Sequence, residues 1–237
     1  MVVGYRGGNV NDRDVEVLGR APLFEALDEE GSKALRATVT EVHLSRGQTL
    51  FSEDQEGDRL YVILEGKIKL TRTAPDGREN LLSVLGPSEM FGELSLFDPR
   101  PRTASAIAVT EGRLAALSHS DLWPFLKGHP EIGIHLLRAL AQRLRRTNEI
   151  MADLVFTDVP GRVAKALLDL AERFGQPTET GLHVHHDLTQ EELAQLVGAS
   201  RETVNKALAD FAQRGWLRIE ARAVQVLDIE RLRKRSR

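Results

Sequence analysis

The chain contains no cysteine, and this absence removes several chemistries at once. It excludes disulfides, thiolate zinc sites, cysteine-held iron–sulfur clusters and cysteine nucleophiles. A run of about eighteen apolar residues is also missing, so the sequence predicts no membrane span. Residues 1–14 have no apolar core between their charges, so we expect no signal peptide. These absences fit a protein of the reducing cytoplasm.

Aromatic residues are sparse, at 5%, but the other proportions are those of a globular protein. The 237 residues are 41% hydrophobic and 28% charged, enough for one large or two medium domains. The net charge of −3 is uneven, because residues 158–237 carry +1 and the remainder −4. Five positive charges fall in the last seven residues: Arg231, Arg233, Lys234, Arg235 and Arg237. This asymmetry permits nucleic-acid binding without showing it.

The first half of the chain has the sequence pattern of an all-β domain. Residues 1–20 are expected to form a flexible leader, and a helical segment over 15–39 is expected to break near Pro22 and Gly31. Strand-like runs then follow at 42–44, 60–64, 67–71 and 81–84, separated by turn signals such as Glu65-Gly66. Short strands at this spacing predict a sandwich or barrel, which ends near residue 117.

A helical period replaces the strand pattern after residue 120. Apolar residues and one threonine recur at alternating spacings of three and four, which is typical of a two-stranded coiled-coil seam. These positions are Leu137, Leu140, Leu144, Thr147, Met151 and Leu154. The pattern favours a helix that pairs two copies of the chain; the alternative is a core helix packed on the β domain.

The last third has the pattern of a winged helix-turn-helix. Thr189 and Glu192 form a capping box, Gly198 lies in a three-residue turn, and Ser200 caps a second helix. A small β-hairpin over 216–227 supplies the wing. The exposed face of the second helix carries side chains of the types that bind base edges in the major groove. The expected DNA-binding residues are Thr189, Gln190, Ser200, Arg201, Glu202, Thr203, Asn205 and Lys206. The alternative is a helical hairpin with a solvated charged face.

Two motifs resemble the cyclic-AMP receptor protein/FNR family of bacterial transcription regulators. Residues 199–204, with sequence ASRETV, are similar to its recognition helix, and residues 91–97, FGELSLF, followed by PRTA at 101–104, are similar to its phosphate-binding cassette. The likeness extends from about residue 21 to the C-terminus and is strongest to the actinobacterial branch. It implies an α+β chain with an N-terminal jelly-roll β-barrel, a long dimerisation helix and a C-terminal winged helix-turn-helix domain. The expected boundaries are 1–20 for the leader, 21–128 for the barrel, 129–157 for the helix and 158–237 for the DNA-binding domain.

The resemblance also implies a cyclic-nucleotide pocket, with cyclic AMP as allosteric effector. Arg102 is suited to the phosphate because a guanidinium binds it with two hydrogen bonds, whereas Glu93 is expected to accept from the ribose hydroxyl. The full ligand-binding set is Gly92, Glu93, Leu94, Arg102, Thr103, Thr147, Asn148, Leu70, Leu82 and Ser83. By resemblance, Thr147 and Asn148 meet the adenine amino group from the two subunits; Thr147 could instead set the register of the seam. The alternative for Arg102 is a surface ion pair.

These features predict a regulator and not an enzyme, a homodimer that binds palindromic double-stranded DNA. The resemblance implies TGTGA-like half-sites and RNA polymerase as a further partner. One alternative is a regulator of the same family that senses another ligand or none. Another is a cupin-type enzyme, which needs metal-ligating histidines and carboxylates inside the barrel, where the β region offers only His43 and His119. His183, His185 and His186 form the one metal-like cluster, and we expect a solvated loop there and no metal.

Overall fold

The computed structural model describes residues 5–7 and 11–236. The chain divides into two compact units, one of residues 1–73 and 83–145 and the other of residues 74–82 and 146–237. The helices are α1 (Asp12–Gly19), α2 (Pro22–Glu25), α3 (Glu29–Arg36), α4 (Leu94–Phe97), α5 (His119–Gly128), α6 (Pro130–Phe156), α7 (Val159–Phe174), α8 (Gln190–Val197), α9 (Arg201–Gln213) and α10 (Ile229–Arg235). The strands are β1 (Tyr5–Gly7), β2 (Thr40–Leu44), β3 (Thr49–Phe51), β4 (Arg59–Glu65), β5 (Ile68–Thr73), β6 (Glu79–Leu85), β7 (Met90–Phe91), β8 (Ser105–Ala108), β9 (Gly112–Ser118), β10 (Gly175–Thr178), β11 (Gly181–His185), β12 (Leu217–Glu220) and β13 (Ala223–Val226).

Two sheets form the β domain. One has the strand order β1-β2-β9-β4-β7 and the other β3-β8-β5-β6. The pairs β2–β9, β4–β9, β3–β8 and β5–β8 are all antiparallel. This is the double-sheet arrangement of a jelly roll, so the expected β fold is confirmed.

Strand β4 shows why its sequence is apolar without interruption. Leu60 and Val62 belong to the core cluster that contains the N-terminal helices. Tyr61 and Ile63 point into the cluster that contains the inward residues of both sheets. Because successive side chains of a strand face opposite sides, a strand buried on both faces is apolar at every position.

The N-terminal segment differs from the expected flexible leader. Residues 1–4 and 8–10 lie outside the described residues, but residues 12–19 form α1, which is closed by a capping box between Asn11 and Asp14. Leu18 in this helix is completely buried. The expected helix break near Gly31 is also wrong, since Gly31 lies inside α3 beneath the capping carboxylate of Asp28. Packing against the outer face of the sheet, which local propensity does not show, explains both differences.

Helix α6 contains the predicted seam over 137–154 and extends beyond it at both ends. It begins at Pro130, a residue type suited to the first helical turn, and ends at Phe156. Asp158 then starts α7, because its Oδ1 accepts a hydrogen bond of 2.9 Å from the amide of Gly161. The boundaries proposed at residues 128 and 157 stay predictions. None of the helices in residues 5–7 and 11–236 is long and apolar enough to cross a membrane.

The second unit contains the predicted helix pair and wing. Its core combines α7 with α8, α9 and the hairpin, as the complete burial of Leu167, Leu193, Val204 and Phe211 shows. The wing, β12 and β13, belongs to a four-stranded sheet of order β10-β11-β13-β12. Strand β11, which pairs with β10, replaces the solvated loop expected around His183 and His185. Val184 of β11 is buried, and hydrogen bonding to β13 makes these polar residues a strand.

Candidate functional sites

A buried arginine lies at the centre of the first site. Arg102 is only 4% exposed, and two of its donors reach main-chain oxygens: Nη1 donates to Gly92 at 2.7 Å and Nη2 to Arg59 at 2.8 Å. Its guanidinium carbon lies 4.2 Å from the centroid of the Phe51 ring. Neutral carbonyls accept from these donors and orient the guanidinium without cancelling its positive charge. Arg102 is therefore not a surface ion pair.

Two glycines make room for this side chain. Gly92 has φ +80°, and a Cβ there would lie 2.9 Å from Nη1 of Arg102. A Cβ on Gly57 would lie 2.3 Å from Nε and 2.4 Å from Cζ of the same guanidinium. The positive φ and the close approach of Arg102 together require a glycine at position 92. Sequence reasoning assigned Gly57 no part in the site.

Glu93 is the acidic member of this site. Its side chain is 1% exposed, and Oε1 accepts a hydrogen bond of 2.8 Å from Nη1 of Arg143 on α6. The other oxygen, Oε2, is buried and has no hydrogen-bond partner within the described part of the chain. An oxygen in this condition costs free energy unless a ligand or water donates to it. Sequence reasoning assigned no role to Arg143, because it lies off the apolar seam.

The remaining predicted ligand-binding residues differ in how far they are exposed. Leu94 and Thr103 are exposed beside Glu93 and Arg102, and Leu70 is buried in the inner core of the sheets. Leu82 is exposed and Ser83 half-buried on β6. Thr147 and Asn148 are exposed on α6, and their contact with a ligand stays a prediction. The site that the geometry builds thus consists of Arg102, Glu93 and the two glycines, Gly57 and Gly92, that lie against the guanidinium.

The helix-turn-helix is closed by the predicted caps. Thr189 and Glu192 bond each other's main-chain amides at 3.2 and 2.7 Å, which is the capping box at the start of α8. Gly198 adopts the left-handed conformation at φ +63° and ends that helix. Ser200 Oγ accepts from the amide of Thr203 at 3.2 Å and starts α9. The pair of helices therefore forms with the geometry that its sequence predicts.

The first two turns of α9 present most of the predicted polar face. Arg201, Glu202, Thr203 and Lys206 are exposed, and Lys206 Nζ lies 2.6 Å from Oε1 of Glu202. Asn205 departs from the prediction. It is half-buried, and its Oδ1 is enclosed without a hydrogen-bond partner in the described residues, so it does not stand on the open face.

Helix α7 contacts the turn between α8 and α9. Arg162 donates from Nε to the carbonyl of Val197 at 2.8 Å and from Nη2 to that of Gly198 at 3.2 Å. One turn earlier, Asp158 Oδ2 accepts from Nη2 of Arg235 at 2.6 Å. The hydrogen bond from Arg235 is the main cause that holds the pKa of the Asp158 carboxyl below its usual value. Sequence reasoning missed these interactions because they join distant segments.

The seam of α6 is largely uncovered in a single chain. The side chains of Leu137 and Leu144 are 68% and 61% exposed, Met151 and Leu154 are also exposed, and Leu140 is half-buried. A row of apolar side chains exposed to this extent indicates a surface that a partner covers.

The histidines form structural contacts. His183 Nε2 lies 2.9 Å from Oε2 of Glu220, and the His183 and His185 rings meet edge to face. His186 is buried, and its Nδ1 accepts from the amide of Leu188 at 3.1 Å. His43 lies beside Glu41, and His119 stacks on Trp123. Within the described ranges, no three histidines or carboxylates are grouped as a metal site would require.

Comparisons with known proteins match both halves of the chain. A model of the cyclic nucleotide-binding domain matches residues 41–129, and a model of the Crp-like helix-turn-helix domain matches residues 161–235. The CRP-like cAMP-activated global transcriptional regulator of Mycobacterium tuberculosis is 57% identical over 94% of this chain and 99% of its own. The cyclic AMP receptor protein of Thermus thermophilus is 36% identical over 87% of this chain and 92% of its own.

Solved structures show the same fold. The catabolite activator protein of Thermus thermophilus, 34% identical, matches with a TM-score of 0.53 over 91% of this chain and 98% of its own. FixK2 of Bradyrhizobium japonicum is 21% identical and matches with a TM-score of 0.76 over 84% of this chain and 98% of its own. At that identity, the second likeness concerns the fold alone.

The close approach of Gly57 and Arg102 generates a stability prediction. Gly57→Ala places a methyl group inside the guanidinium, and overpacking of this kind lowers the free energy of unfolding by about 1–3 kcal/mol. The measurement is urea unfolding followed by Trp123 fluorescence, in a Trp216→Phe background. Gly19→Ala is the control, because nothing lies within 4 Å of its added Cβ. An unchanged midpoint for Gly57→Ala contradicts this placement of Arg102.

Proposed function

Since the chain belongs to the Crp/FNR family of transcription regulators, we propose that it is a homodimer whose binding to palindromic DNA is controlled by cyclic AMP. The observation that carries the effector is the buried pair of Arg102 and Glu93, with one Glu93 oxygen left without a donor. The relative from Mycobacterium tuberculosis is a transcriptional regulator, and we propose no catalytic activity for this chain. RNA polymerase is proposed as its partner in transcription, in the cytoplasm.

A cyclic nucleotide offers groups that suit this pocket. Its phosphate carries one negative charge, which the Arg102 guanidinium would balance in a site closed to water. Its ribose hydroxyl would donate to Oε2 of Glu93, the oxygen that lacks a partner. Thr103 would add a hydroxyl to the phosphate, and Leu70, Leu82 and Ser83 would lie along the base. Each charged or polar group of the ligand thus has a matching group in the proposed set.

The signal would pass to the dimer helix through Arg143. This residue lies on α6 and bonds Glu93, so a ligand that engages the carboxylate changes a contact of the helix. Thr147 and Asn148 follow Arg143 by about one helical turn, where we propose that they contact the base. A ligand that contacts both Glu93 and these two residues would bind more tightly to one orientation of α6 than to another. Allosteric control requires such a difference in affinity between two conformations.

The effector assignment is tested by calorimetry with cyclic AMP. Arg102→Ala removes the partner of the phosphate charge, and losing a charged hydrogen bond costs about 1.5–3 kcal/mol, or roughly 10–150-fold in affinity. Arg100→Ala is the control, since Arg100 is exposed and lies only two residues away. Equal affinities of the two variants contradict the pocket. If the wild-type protein binds DNA but neither cyclic AMP nor cyclic GMP, it is instead a regulator that senses another ligand or none.

The proposed dimer depends on the α6 seam. Leu140→Lys combined with Leu144→Lys places unpaired charges where two helices meet, which is strongly unfavourable. Sedimentation velocity is expected to show monomers. The control, Gln142→Lys, adds a charge at an exposed position off the seam and should leave the dimer intact. If the double variant still sediments as a dimer, the seam assignment is wrong.

The DNA site proposed for a two-fold dimer is a palindrome with half-sites about 34 Å apart. Within each TGTGA-like half, Arg201 would bind a guanine, Glu202 a cytosine of the opposite strand, and Lys206 the other guanine. The ion pair between Lys206 and Glu202 must open for this to happen. It is exposed, so the cost of opening it is at most about 1 kcal/mol.

Base reading by Arg201 is tested with binding titrations at fixed salt. Arg201→Ala should remove about 1–3 kcal/mol of discrimination at one base position, while binding to unrelated DNA persists. The titrations compare a consensus duplex with each single-base variant. Arg214→Ala is the control, because Arg214 lies exposed beyond the last turn of the same helix. A uniform loss on all sequences would assign Arg201 to a phosphate.

A further inference from the structure

Basic residues cover one side of the last helix, α10. Arg231, Lys234 and Arg235 are three and four residues apart and therefore share a face, which we name the C-terminal basic stripe. Leu232, on the neighbouring side next to Arg235, is completely buried in the core of the second unit. Arg231 and Lys234 are exposed, whereas Arg235 is half-buried. The stripe is thus held in place by packing and turned away from the core.

The hydrogen bonds of α7 place this stripe beside the DNA-reading helix. Arg235 bonds the capping carboxylate of Asp158 at the start of α7. Four residues later, Arg162 bonds the carbonyls of Val197 and Gly198, just before the cap of α9. The last turn of α10 and the start of α9 therefore border the same first turn of α7.

The charges at this border suit a polyanion. Asp158 is the one acidic residue in the first turns of α7, and Arg235 balances its charge. Arg231 lies 4.0 Å from Asp228, and its side chain is 61% exposed. An exposed pair of this kind is worth at most about 1 kcal/mol, so a phosphate can replace the carboxylate. A protein interface normally has an apolar centre, which three basic side chains do not supply.

We propose that the C-terminal basic stripe is a second, sequence-independent DNA-binding surface that binds phosphates next to the base pairs read by α9. The proposal rests on the DNA reading by α9 proposed above. Arg231 and Lys234 bind the phosphates, and Arg235 keeps the Asp158 carboxylate from repelling them. A duplex carries one charge about every 1.7 Å along its axis, so phosphates are available on either side of a half-site.

The test is the salt dependence of DNA binding by the full-length protein. Arg231→Gln and Lys234→Gln each remove one charge per subunit while keeping a good helix former. Each is expected to make the plot of log Kobs against log salt concentration shallower by about 0.9 for every phosphate that the variant no longer neutralises. The reduction in affinity should be the same on a palindromic duplex and on an unrelated duplex of equal length, because phosphates carry no sequence information.

The matched control is Arg233→Gln. Arg233 belongs to the same helix and has the same charge, but it lies on another face and pairs with Glu230 at 2.7 Å. It should leave the slope close to that of the wild type, and melting temperatures of all variants verify folding. Equal slopes for the three variants overturn the proposal, as does an effect that depends on base sequence.

Two further outcomes separate this proposal from others. Unchanged DNA binding with reduced transcription in a purified system would assign the stripe to a protein partner and overturn the proposal. A wild-type protein without preference for the palindrome would contradict the proposed function. In that case the slopes on the unrelated duplex still decide whether the stripe binds phosphates.

Discussion

A guanidinium can be buried only where oxygens accept from it, and this requirement organises the β domain. Arg102 meets it with carbonyls of Gly92 and Arg59, which lie at opposite ends of the chain segment that contains β4, β5, β6 and β7. Both ends must therefore approach the arginine closely, which leaves no room for a Cβ at Gly57 or Gly92. The sandwich thus holds a positive charge in a fixed orientation under a surface from which most water is excluded. Such a charge acts more strongly on an anion than an exposed arginine does.

Helix α6 carries both a contact of the buried site and the apolar seam proposed for the dimer. It carries Arg143, which bonds Glu93, and it carries the apolar seam along the same length of helix. A continuous helix transmits a shift at one point along its length because its main-chain hydrogen bonds keep it rigid. The same helix therefore contacts the proposed ligand site and carries the surface that a second subunit would cover.

Much of the fold could be predicted because local signals and burial agree. The caps at Thr189 and Ser200, the left-handed Gly198 and the apolar run of β4 all lie where the pattern placed them. The features that were missed depend on interactions between distant segments. Helix α1 is stabilised by a sheet that follows it, and Arg143 faces Glu93 although 50 residues separate them. For the same reason, the partial burial of Asn205 could not be seen in a helix whose neighbours looked exposed.

The packing of the second unit determines when it can fold during synthesis. Its first helix, α7, packs against its last helix, α10, and the ion pair of Asp158 and Arg235 joins residues 77 positions apart. The sandwich and the helices packed on it can complete their core before α10 is synthesised, because the last buried residue of that core is Leu136. The helix-turn-helix cannot, because Leu232 belongs to its core. A nascent chain can therefore fold its β domain first, whereas the helix-turn-helix domain can fold completely only after α10 has left the exit tunnel.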